Sequence, residues 1–279
     1  MTGPAVAKQN LPFPAGYYRA EAKYAELLKQ VGLVDGMSVF EHPKIEVWRS
    51  ITERENCVLD FDGGRLHIKR NKKGHQGVDA EADAIRLLID AKIDTVPLAA
   101  AGRLNDGRGF LITEDLAGYE DAEILVKNGL AFETILAITA DLAGRLHKAG
   151  LHHRDLYLCH FYVGATPASP ANGQPRPSGD AGVAPTSARI MDAGRVRALP
   201  KWFRTRWLVK DIAQFVYSAR KFGVAEELVQ QWLAKYEAVS GTKVDASFRR
   251  AIERKVKFIT RHDAELRKRD PTRNVSIDR

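Results

Sequence analysis

The sequence is poor in cysteine, with only Cys57 and Cys159 among 279 residues. Two thiols make no disulfide framework, so a reducing compartment is expected. Long apolar runs are missing too, and no uninterrupted stretch approaches the roughly 18–20 residues of a membrane span. The opening MTGPAVAKQNLPFPAG carries Pro4, Pro12 and Pro14 but not the apolar centre of a signal peptide, so a soluble cytosolic protein is expected. Neither histidines nor cysteines show metal-finger spacing. No helix-turn-helix or RNA-binding signature is present, so nucleic acid is not an expected partner. Acidic residues are outnumbered: 35 Asp and Glu against 43 Lys and Arg give a formal charge of +8. An anionic partner follows, whether an acidic membrane surface, a phosphorylated substrate or an acidic protein.

Hydrophobic residues make up 44% of the chain, enough for one large domain or a two-lobed one. Residues 1–37 read as an N-terminal extension, with a loose leader and a short helix over YYRAEAKYAELLKQV, ending near Gly32. VFEHPKIEVWRSI, CVLDFDG and GRLHIKR are β-branched and aromatic, with Asp62-Gly63-Gly64 as the hairpin signal between the last two. DAEADAIRLLIDAKI places Ala82, Ile85, Leu88 and Ile89 at helical spacing, and LAAAG and GFLITEDL follow as strands. Residues 38–116 thus predict a small antiparallel lobe with one helix.

Residues 117–279 predict a larger, mainly helical lobe. FETILAITADLAGRLHKAG lines up Ile135, Ile138, Leu142 and Leu146, with Gly150 as the stop. The strands HFYV and ARIMD flank residues 164–188, which are rich in Pro, Gly, Ser and Ala and too polar to bury. That segment reads as a disordered insertion whose middle is expendable for activity. Residues 245–270 read as a basic terminal helix with an apolar stripe of Phe248, Ile252, Val256 and Ile259. The expected class is α+β and bilobal.

Phosphoryl transfer needs a cation on the nucleotide phosphates, an acid paired with it, a carboxylate for Mg²⁺ and a base for the attacking hydroxyl. Candidates occur in that order. Lys69 ends the third strand, Glu81 sits in the next helix, His153-Arg154-Asp155 opens a loop after a long helix, and Asp192 ends a strand. Each alone reads as an ordinary solvated or capping residue. Together, on these element types, they point to a kinase.

The run HKAGLHHRDLYLCHFYV, residues 147–163, resembles the lipopolysaccharide core kinases of Gram-negative bacteria (the Kdo/WaaP family), which have a protein-kinase-like fold. FLITEDLAG, KDIAQFVYSA and the basic C-terminal helix add to the likeness, which covers roughly residues 45–270. The resemblance implies ATP and Mg²⁺ as cofactors. It implies Asp155 as base, Arg154 and His153 as loop partners, and Asp192 as Mg²⁺ ligand. Lys69 and Glu81 would serve the phosphates, with Thr113 as gatekeeper and the backbone of Glu114 and Leu116 on adenine. Asp211 would hold the catalytic loop. It further implies phosphorylation of a core sugar, heptose or Kdo, at the cytoplasmic face of the inner membrane, and an acidic protein partner such as acyl carrier protein.

The chain departs from the protein-kinase pattern at four places. His160 stands where kinases carry a metal-binding asparagine, and three readings stay open: a second metal ligand, a hydrogen-bond partner of Asp155, or packing. TEREN fills the turn where a G-x-G-x-x-G is expected, Tyr157 replaces a lysine, and Asp192-Ala193-Gly194 replaces D-F-G. After Asp192, no A-P-E anchor appears. Instead Arg195, Arg197, Lys201, Arg204, Arg206 and Lys210 form a candidate anion-receiving rim, and Trp202, Phe203 and Trp207 are expected to stack on sugars, enter lipid headgroups or pack in the core. A kinase for other acceptors and a non-catalytic kinase-fold module remain the alternatives.

Overall fold

The computed structural model describes residues 13–164 and 185–269. The interior of the expected insertion, 165–184, and the first twelve residues of the leader lie outside the described residues. The described chain forms two compact units, one mostly up to Ala117 with Asp192–Arg195 added, the other mostly from Gly118 onward.

The first unit opens with β1 (Tyr18–Ala20), a 3-10 turn (Ala22–Tyr24), α1 (Ala25–Gln30) and α2 (Gly36–Glu41). Then come β2 (Glu46–Ser50), β3 (Arg54–Phe61), β4 (Gly64–Asn71), α3 (Val78–Asp90), β5 (Leu98–Arg103) and β6 (Gly109–Glu114). The six strands form one antiparallel sheet in the order β1-β5-β6-β4-β3-β2. The expected hairpin is found, with Phe61 opposite Gly64 and Gly63 at φ 97°.

Two expectations are corrected here. Tyr18–Ala20, read as helix, is an edge strand paired with Gly102, Ala101 and Ala100. The pairing covers an otherwise open sheet edge. It needs Gly102, because a Cβ there would lie 2.4 Å from the Tyr17 carbonyl oxygen. Val39 and Phe40, read as strand, are helical because Asp35 and Ser38 form a reciprocal cap: Asp35 Oδ1 accepts the Ser38 N–H at 2.7 Å and Ser38 Oγ accepts the Asp35 N–H at 3.2 Å. Tyr24, Leu28, Leu33 and Val39 then pack with Leu59, Ile68, Phe110 and Ile112 in one core.

The second unit contains β7 (Tyr119–Asp121), α4 (Ala122–Lys127), α5 (Glu133–Lys148), β8 (Leu151–His152), β9 (Phe161–Gly164) and β10 (Ser187–Ile190). β11 (Arg197–Ala198), α6 (Arg204–Lys221), α7 (Glu226–Ser240) and α8 (Ala246–Arg269) follow. Helices α5 and α7 approach closely at Gly144, where a Cβ would come within 2.7 Å of Val239. Phe215 stacks on Trp232 at 3.9 Å, Trp232 lies parallel to Tyr236 at 5.7 Å, and Phe161 meets Phe215 edge-on. All four rings are fully buried, so this aromatic column is part of the unit's core. In α8, Phe248, Ile252 and Val256 are buried, so the stripe is a packed helix face. No helix among the described residues is long and apolar enough to cross a membrane.

Candidate active site

In the first unit, the side chain of Lys69 at the end of β4 meets that of Glu81 in the first turns of α3, with Nζ 2.5 Å from Oε1. Glu81 is nearly buried, and the lysine supplies the opposite charge beside it. Residues Asp192–Arg195 pack on α3: a Cβ built on Gly194 would lie 3.7 Å from Glu81 Cβ and 3.8 Å from Asp192 Oδ1. Asp192 Oδ1 and Glu81 Cβ thus both border Gly194. Asp192 adopts φ 51°, a left-handed conformation that costs a non-glycine residue energy and is concentrated at functional positions.

At the end of β6, Thr113 lies opposite His67. The N–H of Glu114 donates to the Pro97 carbonyl at 3.0 Å, so the backbone group it has to offer a ligand is its carbonyl. The Glu114 carboxylate accepts from the Tyr24 hydroxyl, and Asp115 pairs with His67 at 2.7 Å, which fixes the segment leading to Leu116. The turn with TEREN is short: the Ile51 N–H closes on the Arg54 carbonyl at 2.9 Å, and the Lys72 N–H holds the Glu53 carbonyl at 3.0 Å.

In the second unit, one face of α6 organises the loop after β8. Asp211 Oδ2 accepts the His153 N–H at 2.6 Å, and its Oδ1 accepts the Arg154 N–H at 2.9 Å. Gln214 Oε1 accepts the Leu156 N–H at 3.2 Å, and Ser218 Oγ accepts the Leu158 N–H at 2.9 Å. Gln214 also donates through Nε2 to Asp155 Oδ1 at 3.1 Å. Residues 211, 214 and 218 share a helix face, so four loop amides are read by one polar stripe. Lys210 caps the Arg154 carbonyl. Arg154, at φ 69°, lays its guanidinium over Trp207, 5.0 Å from the ring centroid.

Behind Asp211 stands a buried relay. His147 Nε2 is 3.2 Å from Asp211 Oδ2, and its Nδ1 is 2.7 Å from the Tyr236 hydroxyl. Burial works to raise the Asp211 carboxyl, but His147, the nearby His153 and the His153 N–H outweigh it and hold it below the ordinary value. His152, packed on Trp207 at 4.7 Å, is pushed by burial down to about 4. Burial pushes the Cys159 thiol up, so it is inert.

His160 is buried, and its Nδ1 faces the backbone carbonyl of Asp155. A carbonyl only accepts, so Nδ1 carries the proton and braces the turn. His153 Nε2 donates to the carbonyl of Met191, the residue before Asp192, at 3.0 Å, and the Met191 N–H donates to the His160 carbonyl at 2.9 Å. Of the expected rim, Arg195, Lys201, Arg204 and Arg206 are exposed and Arg197 is half-buried. Arg204 also binds the His147 carbonyl at 3.1 Å, at the C-terminal end of α5. The sequence reading missed Gln214, Ser218 and His147. Their signal was polar side chains at helical spacing within otherwise apolar helices.

The sequence pattern of the lipopolysaccharide kinase (Kdo/WaaP) family matches residues 62–236. The chain belongs to that family. The match contains Lys69, Glu81, the loop at 153–160 and Asp192. Lipopolysaccharide core heptose(I) kinase WaaP of Pseudomonas aeruginosa is 26% identical over 174 residues, covering 57% of this chain and 59% of its own length. The protein of the same name from Escherichia coli K12 is 28% identical over 222 residues, covering 68% of this chain and 77% of its own. The chain therefore spans less than two thirds of the Pseudomonas relative. A solved structure, WaaP in complex with acyl carrier protein, superposes with a TM-score of 0.63 at 22% identity, over 86% of this chain and 98% of that one. The Kdo/WaaP membership and the α+β kinase-like class expected from the sequence are both found.

Proposed function

We propose that this chain transfers the γ-phosphoryl group of ATP to a hydroxyl of a lipopolysaccharide inner-core sugar, with heptose as the first acceptor to test. The observation that carries the reading is the base loop of a Kdo/WaaP chain, held by four amide contacts to α6 with Gln214 on the carboxylate of Asp155. Such a loop is pre-organised to orient a nucleophile.

The residues present fit ATP and Mg²⁺. Asp192 offers a hard oxygen next to Gly194, the residue that packs on Glu81 of the Lys69–Glu81 pair. Mg²⁺ is usually held by one or two carboxylates together with phosphates and water. When bound, Mg²⁺ neutralises phosphate charge. Lys69 would steady the phosphates, and the backbone of Glu114 and Leu116, beside Thr113, would hold adenine. Asp155 would take the proton of the sugar hydroxyl as its oxygen bonds to the γ-phosphorus and the bond to the leaving ADP oxygen breaks. His153 and His160 would brace that loop, and Arg154 would fix it against Trp207.

The basic rim would face an anionic glycolipid acceptor. The charge of +8 suits an anionic membrane surface, and we place the protein on the cytoplasmic face of the inner membrane. It also suits an acidic carrier protein, the kind of companion named for the WaaP structure. The test is acceptor profiling with purified protein and labelled ATP. Label in deacylated core saccharide but not in a peptide library supports the reading. Label in peptides alone contradicts it.

A further inference from the structure

The most exposed large apolar side chains among the described residues are neighbours. Trp202 is 82% and Phe203 77% accessible, well above the next such side chain, Phe258, at 60%. They form the tip of the turn between β11 and α6. The tip is fastened at both ends. The Leu199 N–H donates to the Gly150 carbonyl at 2.7 Å, and the Arg206 N–H donates to the Phe203 carbonyl at 3.0 Å. Phe203 sits at φ 66°, so the ring is held outward against a backbone preference. Adjacent aromatics at a fixed tip are not the scattered apolar residues that need no explanation.

The flanking sequence is of one sign. Between Arg195 and Lys210 the chain has six basic residues and no acidic one. Lys201, Arg204 and Arg206 are exposed beside the tip. Behind it, Trp207 carries the Arg154 guanidinium, and Lys210 holds the Arg154 carbonyl, so the tip is built on the same elements as the base loop.

We infer that Trp202 and Phe203 are a membrane wedge, entering the headgroup layer of an anionic bilayer while Lys201, Arg204 and Arg206 lie on its phosphates. Tryptophan favours this interface, and each basic residue near an anionic surface strengthens adsorption. A projecting tip suits a bilayer better than a protein partner, which would need the aromatics to fill a matching pocket. The inference rests on the glycolipid-acceptor reading only for why a bilayer should be present.

The test is sedimentation of the full chain with vesicles of phosphatidylcholine, pure or containing about one third phosphatidylglycerol, without nucleotide or acceptor. Wild type is expected to bind the anionic vesicles, less at high salt, and the neutral ones little. Trp202→Ala/Phe203→Ala is expected to bind on the order of tenfold or more weakly. Lys201→Glu/Arg206→Glu should weaken binding by roughly fivefold per charge removed. A circular-dichroism spectrum and a urea midpoint like those of wild type check that both variants are folded. Wild-type protein that ignores anionic vesicles, or a Trp202/Phe203 variant that binds as wild type does, overturns the wedge. If that variant instead loses a complex with an acidic carrier protein while vesicle binding persists, the tip is a protein-docking site and the inference is wrong. Loss of vesicle binding leaves the kinase reading intact, and failure of phosphate transfer leaves the wedge intact.

Discussion

Replacing Asp211 by Asn changes one buried oxygen to an NH₂ group at almost constant volume. Asp211 accepts from the His153 and Arg154 amides and faces His147. Asparagine can satisfy one of those amides, while its own NH₂ confronts the other. The change removes a hydrogen bond to a charged group, about 1.5–3 kcal/mol, and leaves a buried N–H unsatisfied, about 1–3 kcal/mol. A loss of roughly 3–5 kcal/mol follows, a large part of the about 5–15 kcal/mol typical of a domain. The protein should still fold at low temperature and unfold at lower urea. The proposed base is the residue after Arg154, whose left-handed φ is held by the same contact. Phosphate transfer should therefore fall on the order of a hundredfold, the usual effect of a small misplacement of a catalytic group. Nucleotide affinity should barely move, because Lys69 and Glu81 belong to the other unit. Urea unfolding, turnover and nucleotide titration on one preparation check all three. Wild-type stability and turnover in Asp211→Asn, or selective loss of nucleotide binding, would refute this account of the loop.

Lys69→Met should weaken ATP binding by at least about tenfold, and it strands the nearly buried Glu81 charge. Glu81→Gln in the same background should recover stability but not binding, read by thermal melting and nucleotide titration. Gln214→Leu removes a donor from Asp155 Oδ1 and the acceptor of the Leu156 N–H, so turnover should fall by roughly tenfold or more with nucleotide KM unchanged. His152 titrates at about 4 when folded, against an ordinary value of 6.5. The unfolded chain takes up its proton first on acidification, so this contribution is complete above about pH 6.5 and is lost as pH falls toward 4. His152→Phe should flatten urea stability across that window by about 2 kcal/mol, after allowance for solvent screening.

The legible parts of the chain were those where local signals and chemistry coincide. Asp62-Gly63 forces a tight turn whatever surrounds it, and the spacing in DAEADAIRLL gives both a helix and a face on which Glu81 can meet Lys69. The strand Tyr18–Ala20 was not legible, because its sequence favours helix and only the open edge of β5 makes it extended. The helix at Val39 and Phe40 hid behind their β-branched and aromatic character, and a cap three residues wide decided it. At the site, the loop triplet was visible as a motif, but Gln214, Ser218 and His147 gain meaning only when α5 and α6 bring them to the loop. His160 was ambiguous because a histidine can ligate, donate or pack. The carbonyl facing its Nδ1 fixes which ring nitrogen donates. The tip was ambiguous for the opposite reason, since periodicity cannot say whether an aromatic next to a helix is inside or outside.

The central claim is that Asp155 serves as base in phosphorylating a core sugar. Its most direct test is transfer from labelled ATP to dephosphorylated lipopolysaccharide core by wild type, Asp155→Ala and His160→Asn. Label is expected with wild type, none with Asp155→Ala in a protein that still binds nucleotide, and reduced but measurable label with His160→Asn, whose amide can also donate to the Asp155 carbonyl. Full transfer by Asp155→Ala, or none by folded wild type, would contradict it.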